Sequence, residues 1–147
     1  MDHQDFYLRV AQGLSGCQLV EQQLKLYISD ALQLVAKCLA GKMPFAMHGD
    51  DYANASLERL IDTFRKLTDQ TQLVEELRKF KDERNFLSHE AITYCIDPGG
   101  DFDSGAAASI EKRVAAIQPE SERLCTAIHE AAKFRVHLWF DPVEPAG

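Results

Sequence analysis

Five polar side chains between positions 81 and 89 form the part of the sequence best suited to chemistry. Residues four apart share a face of an α-helix, so Arg84 lies in line with Ser88. Asn85 lies in line with His89 in the same way, and Lys81 lies one turn earlier. Histidine can move a proton near neutral pH, and arginine can hold a phosphate through two parallel hydrogen bonds. This polar strip (Lys81, Arg84, Asn85, Ser88 and His89) therefore predicts metal-independent phosphodiester cleavage, with Lys81 and Ser88 as substrate contacts.

A single copy of the polar strip is poorly arranged for that reaction. In a regular α-helix Arg84 and His89 diverge by roughly 140°, so one helix does not surround a phosphate with both side chains. Two copies related by a twofold axis can do so, because an isologous interface places each strip against its mate. A catalytic role for the strip therefore requires a homodimer.

The run Arg84-Asn85-Phe86-Leu87-Ser88-His89 resembles the motif of HEPN domains, in which an arginine and a polar residue precede a histidine. HEPN domains are all-helical bundles of prokaryotic toxins, abortive-infection systems and RNA-guided ribonucleases. The resemblance implies a metal-independent endoribonuclease whose site combines two copies of the motif. It gives His89 the acid/base role, Arg84 the phosphate contact and Asn85 an orienting role. It also implies an RNA substrate and, for a toxin or phage-defence component, an antitoxin or another partner protein.

The polar strip also has a purely structural interpretation. Arg84 lies at the border of the apolar face of its helix, where a cation needs an acceptor. Glu111 and Glu122 are candidates for that acceptor, and His89 would then bind a backbone carbonyl. Under this alternative the chain is a non-catalytic helical dimerisation or adaptor domain with the same fold.

The first forty residues predict one long amphipathic helix, because apolar residues recur at steps of four and three. This stripe consists of Phe6, Val10, Gly13, Cys17, Val20, Leu24, Tyr27, Ala31, Leu34 and Cys38. Gly13 and Gly16 weaken the helix but allow a neighbouring helix to approach closely. Gly41 is placed to end it, and residues 42–54 have no period and predict a loop.

Two further helices lead up to the strip. Ser56 predicts the N-cap of a second helix that ends near Leu67. Asp69, with Gln72 three residues later, predicts a capping box that opens a third helix. The inward side chains of that third helix are expected to be Leu73, Leu77, Phe80, Leu87, Ala91 and Tyr94.

The remaining sequence predicts a wide loop, a long helical segment and a tail. Residues 97–105 combine a proline and three glycines with Asp and Ser, which favours a loop. Apolar residues from Ile110 to Leu138 then keep one helical phase, so we expect a helix that is kinked or tightly broken at Pro119. The simplest architecture is an all-α, HEPN-like bundle of four to five helices over residues 1–140, with an extended tail over 141–147.

An aromatic cluster near the end of the chain allows two interpretations. Phe134, Val136, Leu138, Trp139 and Phe140 surround Arg135 and His137. Such a cluster is either buried against the first helix or exposed as an oligomer contact.

Composition and charge indicate one globular domain with a limited attraction to nucleic acid. The chain has 147 residues, 46% hydrophobic and 27% charged, and a formal net charge of −7, which disfavours non-specific phosphate binding. Bases balance acids between Ser56 and Arg84, so a nucleic-acid site is expected there. The acidic N-terminus leads into no signal-like apolar stretch, and no run reaches the roughly 18 apolar residues of a membrane span. A cytoplasmic protein without a membrane segment is expected.

No metal or cofactor is expected. The cysteines form no Cys-x-x-Cys pair and are expected to be reduced and mostly buried; they are Cys17, Cys38, Cys95 and Cys125. Residues 101–105 resemble the start of a calcium loop, but Lys112 stands where the bidentate Glu belongs. Residues 48–51 are expected to be a solvated acidic loop, and Cys125 and His129 lack a second pair of ligands.

Overall fold

A computed structural model of the chain describes residues 3–91, 93 and 104–143. Its elements in chain order are α1 (His3–Leu39), a 3₁₀ turn (Gly49–Tyr52), α2 (Leu57–Leu67), α3 (Thr71–Phe86), a π turn (Leu87–Ala91), α4 (Ser104–Ala131) and α5 (Arg135–Phe140). The described residues contain five α-helices and no strand. The predicted all-α bundle of four to five helices is therefore confirmed.

The long helix α1 is the element on which the others pack. It has 37 residues and contacts each of the other four α-helices. The predicted apolar stripe is buried from Phe6 to Ala31, but Leu34 is only half-buried and Cys38 is exposed. Gly41, with a φ of 77°, follows the last turn and stops the helix, as its position in the sequence predicted.

The helix starts follow the predicted caps in one case and not in the other. The Oγ of Ser56 accepts a hydrogen bond from the Arg59 amide at 3.2 Å, which confirms the N-cap of α2. The Asp69 capping box is wrong, because α3 starts at Thr71 after an N-cap residue, Gln70, whose side chain makes no cap bond. The carbonyl of Asp69 accepts the Thr71 amide instead, at 3.0 Å.

Helix α4 differs from the prediction at its start and at its end. Ser104 and Gly105 are helical rather than part of the loop, and the rest of that loop, like Tyr94, lies outside the described residues. Of the two alternatives expected at Pro119, a kinked helix or a tight break, the break is absent, because α4 continues through the proline. Residues on both sides of this proline pack against α1, and such tertiary contacts outweigh a local helix-breaking preference. The helical segment that was expected to keep one phase as far as Leu138 ends at Ala131, and α5 is a separate short helix.

Two glycines set how closely α1 approaches its neighbours. A Cβ on Gly16 would lie 2.9 Å from the Cβ of Ser121 on α4. A Cβ on Gly13 would lie 2.9 Å from Cδ1 of Leu87 and 3.5 Å from Cγ2 of Ile117. The close approach predicted for these glycines is therefore confirmed.

Polar contacts hold α5 against α1 and α4, while its aromatic side chains face outward. Arg135 is 5% exposed, and its Nε donates to Asp30 at 2.7 Å. The ammonium of Lys37 donates to the carbonyl oxygens of His137, Leu138 and Asp141, all at the end of α5. Exposure reaches 63% for Trp139 and 77% for Phe140. Of the two interpretations of the late aromatic cluster, burial against α1 is therefore excluded for these two side chains.

Candidate functional site

The polar strip lies where α3 ends and the π turn begins. Lys81, Arg84 and Asn85 belong to α3, whereas Ser88 and His89 lie in the π turn Leu87–Ala91. A π turn holds more residues than an α turn, so each residue rotates less about the helix axis. Arg84 and His89 therefore diverge by less than the roughly 140° of a regular helix. The sequence pattern did not reveal this turn, and π turns occur frequently at functional sites.

Arg84 is the cation at the inner edge of the strip. Its side chain is 42% exposed, and its Nη2 lies 3.7 Å from Oε1 of Glu21 on α1. That distance is too long for a hydrogen bond, so the contact is electrostatic. The predicted acceptor thus exists, but it belongs to α1 and was not among the acids suggested from the sequence, because the two residues are 63 positions apart.

Lys81 occupies a similar setting one turn earlier. Its side chain is 25% exposed, and its Nζ lies 4.0 Å from Oε1 of Glu58 on α2. Each of the two cations in the strip therefore faces one acid from a neighbouring helix. Neither pair is close enough to hydrogen-bond, so within the part of the chain that the structure describes the donor groups of both cations remain available to a ligand.

The other members of the strip point away from the core. Asn85 and His89 are exposed, and Ser88 is half-buried. The imidazole of His89 makes no hydrogen bond to any of the described residues, so the carbonyl contact of the structural alternative is absent from that part of the chain. The His89 main-chain carbonyl does accept a hydrogen bond, from Oγ1 of Thr93 at 2.8 Å. The imidazole is therefore accessible to a substrate or a second copy.

Buried apolar residues fix the strip from below. Phe86 is 5% exposed, and the guanidinium of Arg113 on α4 lies over its ring at 3.9 Å. Arg113 in turn donates two hydrogen bonds to Glu83, at 2.8 and 2.9 Å, and this pairing raises the pKa of Arg113. Leu87, the first residue of the π turn, packs on Gly13. The turn is thus held between α1 and α4, by residues too distant in sequence for a local pattern to reveal.

The other candidate sites carry no comparable arrangement. Oδ2 of Asp51 accepts a hydrogen bond from the His48 amide at 3.1 Å and so caps the 3₁₀ turn. Within residues 3–91, 93 and 104–143 no three His, Cys, Asp or Glu side chains form a group that could hold a metal ion. Among the same residues no helix has the length and apolar character needed to cross a membrane. Cys95 and most of the rejected calcium loop lie outside them.

The thiols differ in burial and in ionisation. Cys17 is buried, and that burial raises the pKa of its thiol to about 12, while Arg84 acts in the opposite direction. Cys125 is half-buried, with its pKa also raised by burial, and Cys38 is exposed. The expectation of mostly buried thiols therefore fails at Cys38.

Taken alone, one protomer offers an accessible imidazole and two partly neutralised cations at one end of α3. This arrangement can bind a phosphate and move one proton, but among the described residues of one copy no acid or base hydrogen-bonds to the His89 imidazole. No protein-family model, curated protein or solved structure matches the chain. The class that the structure shows is an all-α helical bundle.

Proposed function

We propose that the protein is a HEPN-like, metal-independent endoribonuclease that acts as a homodimer. The observation that carries this proposal is the exposed imidazole of His89 in the π turn, unpaired among the described residues, together with the half-exposed side chain of Arg84 in the last turn of α3. A histidine with only a structural role would be expected to have a hydrogen-bond partner. The resemblance of the run from Arg84 to His89 to the HEPN motif supplies the class of reaction.

The proposed reaction is an attack of a ribose 2′-oxygen on the adjacent phosphorus. His89 of one copy accepts the proton of the 2′-hydroxyl, and a bond forms between the 2′-oxygen and phosphorus. The bond from phosphorus to the 5′-oxygen breaks, and the second copy's His89 protonates that leaving oxygen. The products are a 2′,3′-cyclic phosphate and a 5′-hydroxyl. Arg84 stabilises the negative charge that grows on the phosphate oxygens, and Asn85 orients the reacting groups.

Two copies are needed because one strip supplies a single imidazole. A twofold axis beside the π turn would bring both His89 side chains to one phosphate and add Lys81 and Ser88 of both copies as contacts to the strand. A role in a toxin or phage-defence system, with an antitoxin as partner, follows from the HEPN resemblance and belongs to this proposal.

The second candidate function is a non-catalytic dimerisation or adaptor domain. The positions of Glu21 and Glu58 favour it, since each already faces one cation of the strip. In that case the strip contacts a protein rather than RNA.

Cleavage of single-stranded RNA in the presence of EDTA tests the proposal. Purified protein should cleave, and both His89→Ala and Arg84→Ala should lose at least about a hundredfold in rate, the typical contribution of a general acid or base. His137→Ala removes an exposed histidine of α5 and serves as the matched control. Equal rates in the strip variants would identify a contaminating nuclease and leave the adaptor function.

Mixing wild-type protein with the His89→Ala variant tests whether the site is shared between copies. If one site needs both His89 side chains, only wild-type homodimers stay active, and about a quarter of the wild-type rate should remain after equimolar exchange at constant total protein. If each copy carries its own complete site, about half of the rate would remain, and the shared site would be contradicted. A protein that stays monomeric at assay concentration would contradict the ribonuclease proposal.

A further inference from the structure

We infer that Glu21 weakens the hold of Arg84 on each phosphate, so that mononucleotides and free phosphate leave the polar strip readily and only an RNA strand that makes several contacts stays bound. This inference rests on the proposed function and names the substrate property that the strip recognises. It assigns Glu21 a role in specificity rather than in the chemical step.

One face of α1 forms the surface under the strip. Gly13, Cys17 and Glu21 follow one another at steps of four, so they share that face. Gly13 packs under Leu87, and Glu21 faces the guanidinium of Arg84. Cys17 lies between them as a neutral thiol, because its burial disfavours the thiolate. Glu21 is therefore the residue that gives this face its negative charge.

Glu21 partly neutralises the charge of Arg84 but does not occupy its hydrogen-bond donors. The carboxylate approaches only Nη2, at 3.7 Å, and is itself 20% exposed, so its charge is shielded only in part by water. A phosphate bound to the open side of the guanidinium would lie on the order of 7 Å from that carboxylate. At the dielectric constants between those of a protein surface and water, the repulsion lowers phosphate affinity by on the order of tenfold.

The penalty applies at each contact, so a ligand with one phosphate is held weakly, whereas an RNA strand adds further contacts. A mononucleotide offers one phosphate to one Arg84 and meets the full repulsion. A strand that crosses the twofold axis reaches both copies of Arg84 and of Lys81, and the second contact forms at a high effective concentration. The repulsion is then offset by multiple contacts. Long single strands are therefore the substrates, and short fragments are released.

The direct test is a titration with inorganic phosphate, monitored through the Nε–Hε NMR signal of Arg84. Glu21→Gln keeps the size of the side chain and removes its charge, so phosphate affinity at Arg84 should rise about tenfold. Glu75→Gln is the matched control, since this exposed residue lies about 14 Å along α3 from Arg84. It should leave the affinity unchanged. Unchanged or weaker phosphate binding in Glu21→Gln would overturn the inference.

Glu21→Ala provides a second variant, and thermal unfolding of each variant shows whether the fold is intact. If both Glu21 variants bind phosphate no better than Glu75→Gln, the inference fails. The titration needs no RNA cleavage, so the two proposals can fail separately. If wild-type protein cleaves no RNA but Glu21→Gln gains phosphate affinity, the ribonuclease proposal fails and the role of Glu21 at Arg84 stands.

The dinucleotide substrate provides the second measurement. Glu21→Gln should lower KM for a dinucleotide by on the order of tenfold, whereas Glu75→Gln should leave it unchanged. A KM that stays the same in Glu21→Gln would mean that Glu21 does not weaken phosphate binding by the polar strip.

Discussion

Replacing Gly16 with alanine tests the close approach of α1 and α4. The added Cβ would lie 2.9 Å from the Cβ of Ser121, and the Ser121 hydroxyl would lie closer still. Ser121 is 1% exposed, and its Oγ donates to the carbonyl of Gln118 at 2.6 Å, so neither the side chain nor its helix can move aside easily. The two helices must therefore separate.

The expected magnitude follows from two opposing effects. Overpacking a buried contact costs about 1–3 kcal/mol, whereas replacing glycine by alanine inside a helix gains about 1 kcal/mol. Because the contact involves a Cβ fixed to the α4 backbone, we expect the upper part of the range and a net loss of about 1–2 kcal/mol. The thermal midpoint should fall by about 3–7 °C. Circular dichroism and urea unfolding measure both quantities.

A double-mutant cycle makes this prediction sharper. In a Ser121→Gly background the opposing atoms are gone, so Gly16→Ala should become stabilising by up to about 1 kcal/mol. Ser15→Ala, at an exposed neighbouring position of α1, is the control for helix preference without a clash. A stabilising effect of Gly16→Ala in the otherwise wild-type protein would refute the proposed close contact, as would a loss that persists without the Ser121 side chain.

Three further predictions concern α5 and the thiols. Asp30→Asn should lower the free energy of unfolding by about 3–5 kcal/mol in urea, because it leaves the buried Arg135 without its carboxylate; a change below about 1 kcal/mol would contradict a buried ion pair. Iodoacetamide at pH 8 should label Cys38 but not Cys17 in native protein, and detection of labelled native Cys17 by mass spectrometry would contradict its burial. The free energy of unfolding should fall as pH rises from 9.0 towards about 12, because Cys17 loses its proton first in the unfolded chain. This alkaline loss should be smaller in Cys17→Ala. Iodide should quench the fluorescence of Trp139, the only tryptophan, in dilute protein, and quenching that weakens as concentration rises would identify its face as an interface.

Features encoded by local patterns could be predicted from the sequence. The period of α1, the cap at Ser56 and the stop at Gly41 each depend on residues within one or two turns of each other. A competing local turn moved the start of α3. Asp69 has the right type and spacing for a cap, yet Oγ1 of Thr68 accepts the Gln70 amide, and α3 starts one residue later than expected, at Thr71. At Pro119 the sequence left a kink and a break open, and packing on α1, which a local pattern does not reveal, accompanies a continuous α4.

The candidate site shows the same division. The residues of the strip and their common face followed from helical spacing, because that spacing is local. The acid beside Arg84 could not be predicted from helical spacing, because Glu21 belongs to another helix. The π turn could not be predicted either. The π turn is held by the packing of Leu87 on Gly13 and by the contact of Arg113 with Phe86. Each contact joins residues that are far apart in the sequence, so a local sequence pattern does not reveal it.

The position of the dimer interface separates the two candidate functions. Lys37 binds the end of α5, and Glu21 faces the strip, so the aromatic face and the strip lie about 24 Å apart along α1. A twofold axis through Trp139 and Phe140 brings the two strips together only if it also runs along α1 and past Arg84. Charge substitutions at Asn85 and at Trp139 distinguish these arrangements by analytical ultracentrifugation. Dissociation caused only by the Trp139 substitution would leave each strip alone on its protomer, and one imidazole per site would then exclude the shared mechanism.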